Sequence, residues 1–157
     1  MAAGLDAMDR KILAALQADN SRSLEDLARH VGGSKTPVWN RIRKLRAAGV
    51  IREEVVLLDA EALGLGACFF VLVRTSQHDA AWLTAFMAAL KRRPEVVEAH
   101  RLAGDIDYIL KVRVADARAY DVFYRSLIAE GPIFNVTSLL SMEEIKSTSL
   151  LPFCEDV

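Results

Sequence analysis

The chain has 157 residues, of which 52% are hydrophobic and 26% are charged, with a net charge of −1. This balance excludes a disordered chain, and the length fits one domain or two small ones. Two cysteines are too few for a disulfide framework. The longest apolar run, residues 62–73, is too short to span a bilayer, and the N-terminus lacks a signal-peptide pattern. We therefore expect a cytoplasmic protein with no membrane partner.

The positive charges are concentrated in the N-terminal third. Residues 1–53 contain 10 Lys and Arg against 6 Asp and Glu, whereas residues 54–157 contain 10 against 15. Between Ser34 and Arg52 there are six basic residues and no acidic one. A solvated helix face is one explanation of such a run, and a surface that binds a polyanion such as DNA is the other.

Three short helices are predicted in the first fifty residues. Their apolar residues recur at helical spacing, and the predicted spans are 6–19, 23–31 and 34–48. Ser23 and Ser34 are the N-caps of the second and third helices, and Pro37 is tolerated in the first turn of the third. Gly32 and Gly33 separate these two helices. A short helix, a glycine turn and a second helix form a helix-turn-helix pattern, although other three-helix bundles give similar patterns.

The predicted third helix has two chemically different faces. At 100° per residue, its apolar side is formed by Val38, Ile42 and Leu45. The opposite side offers Asn and Arg, which read base edges, and Lys and Thr, which bind phosphates. Its residues are Thr36, Asn40, Arg43 and Lys44, with Pro37 and Arg41 beside them. This face predicts a DNA-recognition helix.

The C-terminal part is predicted to have a βαββαβ order. The predicted strands are 67–75, 96–103, 108–114 and 136–145, and the predicted helices are 79–93 and 116–130. This order predicts a ferredoxin-like antiparallel sheet with both helices on one face, and therefore an α+β protein. The other sheet face needs a cover, and the apolar segments FFVLV and VTSLLSM are candidates for pairing with a second subunit.

The two parts are joined by a segment rich in branched residues. Residues 50–58 are predicted to form an extended wing or a connecting strand, followed by a helical turn or loop to residue 65. The predicted organisation is thus a winged helix-turn-helix domain over 1–52, a wing and hinge over 53–65, and a third region over 66–157.

The chain from Leu5 to about Pro152 resembles the Lrp/AsnC family, also called the feast/famine regulators. The N-terminal marks are the Leu5-Asp6 opening, Asp9-Arg10-x-Ile12-Leu13, Thr36-Pro37 and Arg41-Ile42-x-x-Leu45-x-x-x-Gly49. The C-terminal marks are Gly104-Asp105-Ile106-Asp107-Tyr108, Ala119-Tyr120 and Met142-Glu143-Glu144-Ile145-Lys146, the last of which is expected on the final strand. The order and spacing of these motifs make the resemblance specific.

The resemblance implies a transcriptional regulator that responds to an amino acid or a related metabolite. It implies a homodimer that binds a pseudo-palindromic operator in double-stranded DNA, assembles further to an octamer and needs no cofactor. Together with the facing of the third helix, it predicts a DNA-binding set of Ser34, Lys35, Thr36, Pro37, Asn40, Arg41, Arg43 and Lys44.

The chain departs from the family pattern at three places. Gly33 stands where many relatives have Leu, and we expect it to loosen the turn before the third helix. Lys35 stands where many have Pro, and it adds a phosphate contact. Glu53 and Glu54 replace a Gly-Tyr pair, which changes the hinge between the domains.

The effector site is expected, by resemblance, at the turn between the second and third strands of the sheet. Glycine allows a ligand to approach the backbone, free amides bind a carboxylate, and an Asp accepts hydrogen bonds from an α-ammonium group. The predicted effector-binding residues are Leu102, Gly104, Asp105, Asp107, Tyr108, Thr137, Ser138 and Leu140. The structural alternative is that Gly-Asp only forms a hairpin turn and that Tyr108 only packs.

Three classes of function are compatible with a chain of this size. A metabolite-responsive transcription regulator accounts for all of the features above. A metabolite-sensing module without DNA binding does not account for the acid-free basic run. An enzyme is not expected, because no nucleophile and base pair, phosphate loop or cluster of metal ligands appears in the sequence.

Overall fold

A computed structural model of the chain describes residues 4–76, 79–130 and 135–153. The elements in chain order are α1 (Ala7–Ala18), α2 (Leu24–His30), α3 (Lys35–Ala47), β1 (Ala67–Arg74), α4 (Ala80–Lys91), β2 (Val96–Arg101), β3 (Tyr108–Val114), α5 (Ala117–Ile128) and β4 (Asn135–Leu140). The three N-terminal helices and the βαββαβ order agree with the sequence-based predictions. None of the described helices is long and apolar enough to cross a membrane.

The three N-terminal helices pack around one apolar core. Its centre is formed by Ile12 of α1, Leu27 of α2 and the apolar side of α3. Helix α1 begins with a reciprocal cap, in which the Asp6 carboxylate accepts a hydrogen bond from the Asp9 N–H at 2.8 Å and the Asp9 carboxylate accepts one from the Asp6 N–H at 3.3 Å. Ser23 caps α2 through the Asp26 N–H. These caps fix where the helices begin.

The turn between α2 and α3 is tight. Gly32 has a φ of 74°, which favours glycine. The Gly33 N–H donates to the Ala28 carbonyl at 2.8 Å, and a Cβ at Gly33 would lie 3.0 Å from Cγ2 of Val38. The absence of a side chain at Gly33 allows the turn to approach α3 closely, and the expectation that Gly33 loosens the turn stays a prediction.

The C-terminal sheet has four antiparallel strands in the order β2-β3-β1-β4. Alternate residues of β1 and β3 point to the side where α4 and α5 pack, as the two-residue period of a strand requires. This core contains Val71, Leu110, Val112 and Leu127, and none of these four side chains is accessible to solvent. The order and the one-sided helices are those of a ferredoxin-like fold.

On the other face of the sheet, no helix from the described residues of the same unit packs. The residues that alternate with the core residues there include Phe70 and Leu72 of β1 and Ile109 of β3. Toward the outer strand the face is charged, because Lys111 pairs with Glu98 at 3.2 Å and Arg113 pairs with Glu144 at 2.9 Å. This face thus has an apolar part around Phe70, Leu72 and Ile109 and a charged part around Lys111 and Arg113.

Two predicted strands differ from the structure. Strand β4 ends at Leu140 rather than at residue 145, because its neighbour β1 begins at Ala67 and the last hydrogen bond joins the Ser141 N–H to the Cys68 carbonyl. The motif 142–146 therefore lies beyond the strand. Residues 50–58 form no paired strand in the described part of the chain, so of the two predicted forms, an extended wing or a connecting strand, the paired strand is not found.

The contacts divide the chain into two compact units. One unit contains the described residues up to Val56 together with the segment from Lys146 onward, and the other is Leu57–Ile145. The predicted third region extended to residue 157. The predicted region thus included residues 146–153, which belong to the unit of the N-terminal helices. Side chains of α1 bind the backbone of residues 151 and 153.

Candidate DNA-binding surface and effector turn

Helix α3 presents a polar surface because its apolar side is buried. Val38, Ile42 and Leu45 are each at most 4% exposed. All but one of the predicted DNA-binding residues are exposed, namely Ser34, Lys35, Thr36, Pro37, Asn40, Arg43 and Lys44. These residues form one surface, which we call the recognition face.

The start of α3 suits an anion. Ser34 is the N-cap, but its hydroxyl makes no capping hydrogen bond, and no acidic residue lies in the first turn. The N–H groups of a first helical turn have no partner within the helix, and the helix dipole is positive there. Together with the Lys35 ammonium group, they provide donors for a phosphate oxygen.

Arg41 does not belong to the recognition face. Its Nη1 donates to the Asp6 carboxylate at 2.6 Å and to the Asp9 carboxylate at 2.8 Å. Arg41 lies about 70° from the centre of the apolar side at 100° per residue, which turns it toward α1. The Arg41 side chain thus ties α3 to α1, and its predicted contact with DNA stays a prediction.

This ion-pair cluster changes the acid–base properties of its members. Hydrogen bonds from the Asp9 N–H and then from Arg41 lower the pKa of Asp6. The pKa of Arg41 is raised in turn by its bonds to Asp6 and Asp9. Asp9 is one of few buried charged residues among those described, and it is 6% exposed. Its charge is compensated by Arg41.

A second arginine at the edge of α3 is also occupied. Arg46 forms an ion pair with Glu54, and the same carboxylate accepts a hydrogen bond from Asn20 Nδ2 at 3.1 Å. Bonds from Asn20 and then Arg46 lower the pKa of Glu54. By contrast, Lys35, Arg43 and Lys44 form no ion pair within residues 4–76, 79–130 and 135–153. Of the six basic residues between Ser34 and Arg52, those left for an external polyanion are thus Lys35, Arg43 and Lys44 of the recognition face and the exposed Arg52.

The turn between β2 and β3 has an open glycine. Gly104 has a φ of 141°, a conformation that favours glycine, and a Cβ there would meet no atom within 4 Å. Leu102 and Asp105 are exposed beside it. The space above this turn is therefore accessible, and the Asp105 carboxylate projects from it without a hydrogen bond from the described residues.

Asp107 and Tyr108 hold the turn in place. The Asp107 carboxylate accepts a hydrogen bond from the Thr75 N–H at 2.8 Å, and the Asp107 N–H donates to the Val73 carbonyl at 3.1 Å. Tyr108 is 5% exposed, and its ring packs 5.1 Å from that of Phe86. These two side chains attach the turn to β1 and to the core. They therefore fit the alternative in which the motif only forms a hairpin turn and Tyr108 only packs.

The three predicted residues of β4 are not brought together at the turn. Thr137 lies opposite Leu72 on the helix-free face, whereas the Ser138 hydroxyl points to the helices and is hydrogen-bonded to Tyr120. Leu140 lies opposite Phe69, five residues from the Arg74–Asn135 pair at the turn end of the sheet, which is a distance of about 16 Å along a strand. Of these residues, Thr137 is the one on the open face and toward the turn end.

Sequence reasoning missed several residues that shape these sites. Their partners are distant in the sequence, which is the case for Thr75, Glu54, Asp6 and Asp9. The one sequence signal among them was the Asp-x-x-Asp spacing of a helix cap at Asp6 and Asp9. Asn135, which pairs with Arg74 at the turn end of the sheet, was also missed.

Two family models together match most of the chain. The model of the AsnC-type helix-turn-helix domain matches residues 5–46, and that of the Lrp/AsnC ligand binding domain matches residues 68–151. The first match contains the recognition face, and the second contains the Gly104 turn. The sequence marks and the geometry thus agree with both models.

Characterised relatives are similar over nearly their whole length. The glutamate uptake regulatory protein of Zymomonas mobilis is 42% identical over 151 residues, which are 96% of this chain and 92% of that protein. The DNA-binding transcriptional activator DecR of Escherichia coli is 43% identical over 149 residues, or 94% of this chain and 98% of that protein.

Solved structures have the same fold. An AsnC family transcriptional regulator from Agrobacterium tumefaciens has a TM-score of 0.90 and 46% identity, over 94% of this chain and 97% of that one. A transcriptional regulator from Neisseria meningitidis, solved in complex with L-methionine, has a TM-score of 0.89 and 31% identity, over 94% and 96% of the two chains. The chain belongs to the Lrp/AsnC family of DNA-binding transcriptional regulators, whose members are not enzymes.

Proposed function

We propose that the chain binds a pseudo-palindromic operator as a homodimer and that a small amino acid bound at the Gly104 turn changes this binding. The observation that carries the DNA-binding part is the recognition face. It combines base-reading and phosphate-binding side chains, and its cations have no carboxylate partner in the described chain. Two flanking arginines, Arg41 and Arg46, are paired with carboxylates, which leaves Lys35, Arg43 and Lys44 as the unpaired cations of α3.

The side chains of the recognition face divide into two roles. Arg43 and Asn40 reach base edges in the major groove, because a guanidinium group pairs with guanine and an amide pairs with adenine. Lys35, Thr36 and Lys44 contact phosphates and fix the register of the helix. Ser34 and Pro37 bring the start of α3 close to the backbone of the DNA.

The helix-free face of the sheet supports the dimer. Phe70, Leu72 and Ile109 form an apolar area on the face of the sheet opposite to α4 and α5, and a second copy of the chain covers it. A dimer places two recognition helices about one helical turn of DNA apart, or a multiple of this distance. The further assembly to an octamer is proposed from the family resemblance alone.

The proposed effector is a small amino acid, such as the methionine bound by the neisserial relative. The open backbone at Gly104 accepts the α-carboxylate, and Asp105 accepts hydrogen bonds from the α-ammonium group. Leu102 contacts the side chain of the ligand. Asp107 and Tyr108 position the turn, and Thr137 lies on the open face near it. Ser138 and Leu140 are not assigned a ligand contact.

Selection from a pool of random duplexes tests the DNA-binding part. The wild-type protein should enrich a sequence with two inverted half-sites, and its affinity for that sequence should fall steeply with salt. Binding that is independent of salt, or enrichment of no sequence, would contradict this part.

A thermal-shift screen of the twenty amino acids tests the effector part. At least one amino acid should raise the melting temperature and change operator affinity by about 5–150-fold. If none of the twenty changes melting temperature, affinity or oligomeric state, the chain is a DNA-binding protein without amino-acid control.

A further inference from the structure

The DNA-binding unit is attached to the rest of the chain at two places rather than one. The chain leaves this unit at Val56 and returns to it at Lys146. Near each crossing, side chains of the helices hold the passing segment. We call these contacts the linker anchor, formed by Glu54 with Asn20 and Arg46, and the tail anchor, formed by Gln17 and Arg10 with residues 151–153.

The linker anchor joins the exit segment to two parts of the helical unit. The Glu54 carboxylate binds Arg46, which lies in the last turn of α3, and Asn20, which follows α1. An exposed single ion pair contributes little free energy. A carboxylate that is bound on both oxygens by two partners is also restricted in its orientation. Glu54 thereby fixes the linker two residues before it leaves the unit.

The tail anchor holds the returning segment through its backbone. Nε2 of Gln17 donates to the Leu151 carbonyl at 3.1 Å, and Oε1 of Gln17 accepts from the Leu151 N–H at 3.1 Å. Arg10 Nη1 donates to the Phe153 carbonyl at 2.9 Å. A side-chain amide that bonds both polar groups of one residue fixes the position and the direction of that segment on α1.

We propose that Glu54 and Gln17 are positioning residues for operator binding, because they restrain both connections of the DNA-binding unit. The proposal rests on the proposed binding of a dimer to two half-sites. A dimer gains affinity from its second half-site only to the extent that the second unit is already held at the right spacing. With the anchors broken, each unit moves on two loose segments, and ordering them on DNA costs free energy. Neither residue lies on the recognition face.

The experiment measures the binding of five proteins to two duplexes. One duplex carries the two half-sites selected by the wild type, and the other carries one half-site with the second scrambled. The proteins are the wild type, Glu54→Gln, Gln17→Ala and the double variant, with Glu53→Gln as a control that removes the neighbouring exposed charge. The dissociation constants for both duplexes are measured at one salt concentration.

The proposal predicts a selective loss. The double variant should bind the two-half-site duplex about ten-fold more weakly and each single variant about three-fold more weakly, a part of the avidity typical of linked sites. Affinity for the single half-site should stay within about two-fold of the wild type for all proteins. Glu53→Gln should leave both affinities unchanged.

Other outcomes overturn the proposal. Equal losses on both duplexes would show that the anchors only stabilise the helical unit, and unchanged affinities would show that they do not restrain it. Hydrogen exchange of the Leu151 N–H provides a readout without DNA: this group donates to Oε1 of Gln17, so its exchange should accelerate in Gln17→Ala and not in Glu53→Gln. A wild type that binds both duplexes equally would instead contradict the proposed dimeric operator binding, while the exchange data would still test the tail anchor.

Discussion

Replacing Lys44 by alanine should flatten the salt dependence of operator binding, whereas replacing Arg41 should not. Both residues are basic and both lie on α3. Lys44 is exposed on the recognition face, and Arg41 is bound to the Asp6 and Asp9 carboxylates. A cation that is already paired within the protein releases no counterion when DNA binds.

The magnitude follows from the number of free cations. Each phosphate contact contributes about −0.9 to the slope of log K against log salt, and a dimer loses two contacts in the Lys44→Ala variant. The slope should therefore become less steep by about 1.8. Between 50 and 200 mM salt, the wild type should lose about 12-fold more affinity than the Lys44→Ala variant does.

The assay is a titration of labelled operator by fluorescence anisotropy at four salt concentrations. It compares the wild type, Lys44→Ala and Arg41→Ala. Because the test uses the slope, a partial loss of folded Arg41→Ala protein shifts its curve without changing the steepness. Equal flattening in the two variants would refute the assignment of Arg41 to the internal cluster.

Three further predictions concern the effector turn, the core and the acid response. Gly104→Val should abolish the effect of the amino acid on operator affinity and leave affinity without amino acid unchanged, whereas an unchanged response would place the effector site elsewhere. Leu127→Ala, at a fully buried position, should lower the free energy of unfolding by about 2–5 kcal/mol in urea titrations, and a loss under 1 kcal/mol would contradict the packing. The lowered pKa of Asp6 means that its contribution to stability is present above the ordinary value of 3.8 and is lost as the pH falls through the lowered value. Acid unfolding followed by circular dichroism should therefore begin at a higher pH in Asp6→Asn, and coincident curves would exclude a role for this charge.

Features set by local sequence were predictable. The apolar period of α3 and the cap at Ser23 fixed helices that the structure contains. In each case the signal lies within a few residues of the element that it describes.

Features set by distant partners were not predictable. The partners of Arg41 lie 32 and 35 residues away, and that of Leu151 lies 134 residues away. The end of β4 depends on where β1 begins, which no property of residues 141–145 reveals. The helical wheel placed Arg41 beside the polar face of α3. A wheel gives the angle of each residue around the helix, but it does not show the carboxylates of a neighbouring helix.

The most direct test of the central claim, that α3 reads the operator, is a selection from random duplexes carried out with the wild type and with Arg43→Ala. The wild type should enrich two inverted half-sites whose centres are about 10 base pairs apart or a multiple of this spacing. Arg43→Ala should enrich the same spacing with relaxed preference at one symmetric pair of positions, at a cost of about 1–3 kcal/mol on the wild-type operator. Identical sequence preferences in the two selections would contradict the claim that Arg43 on this helix reads the bases.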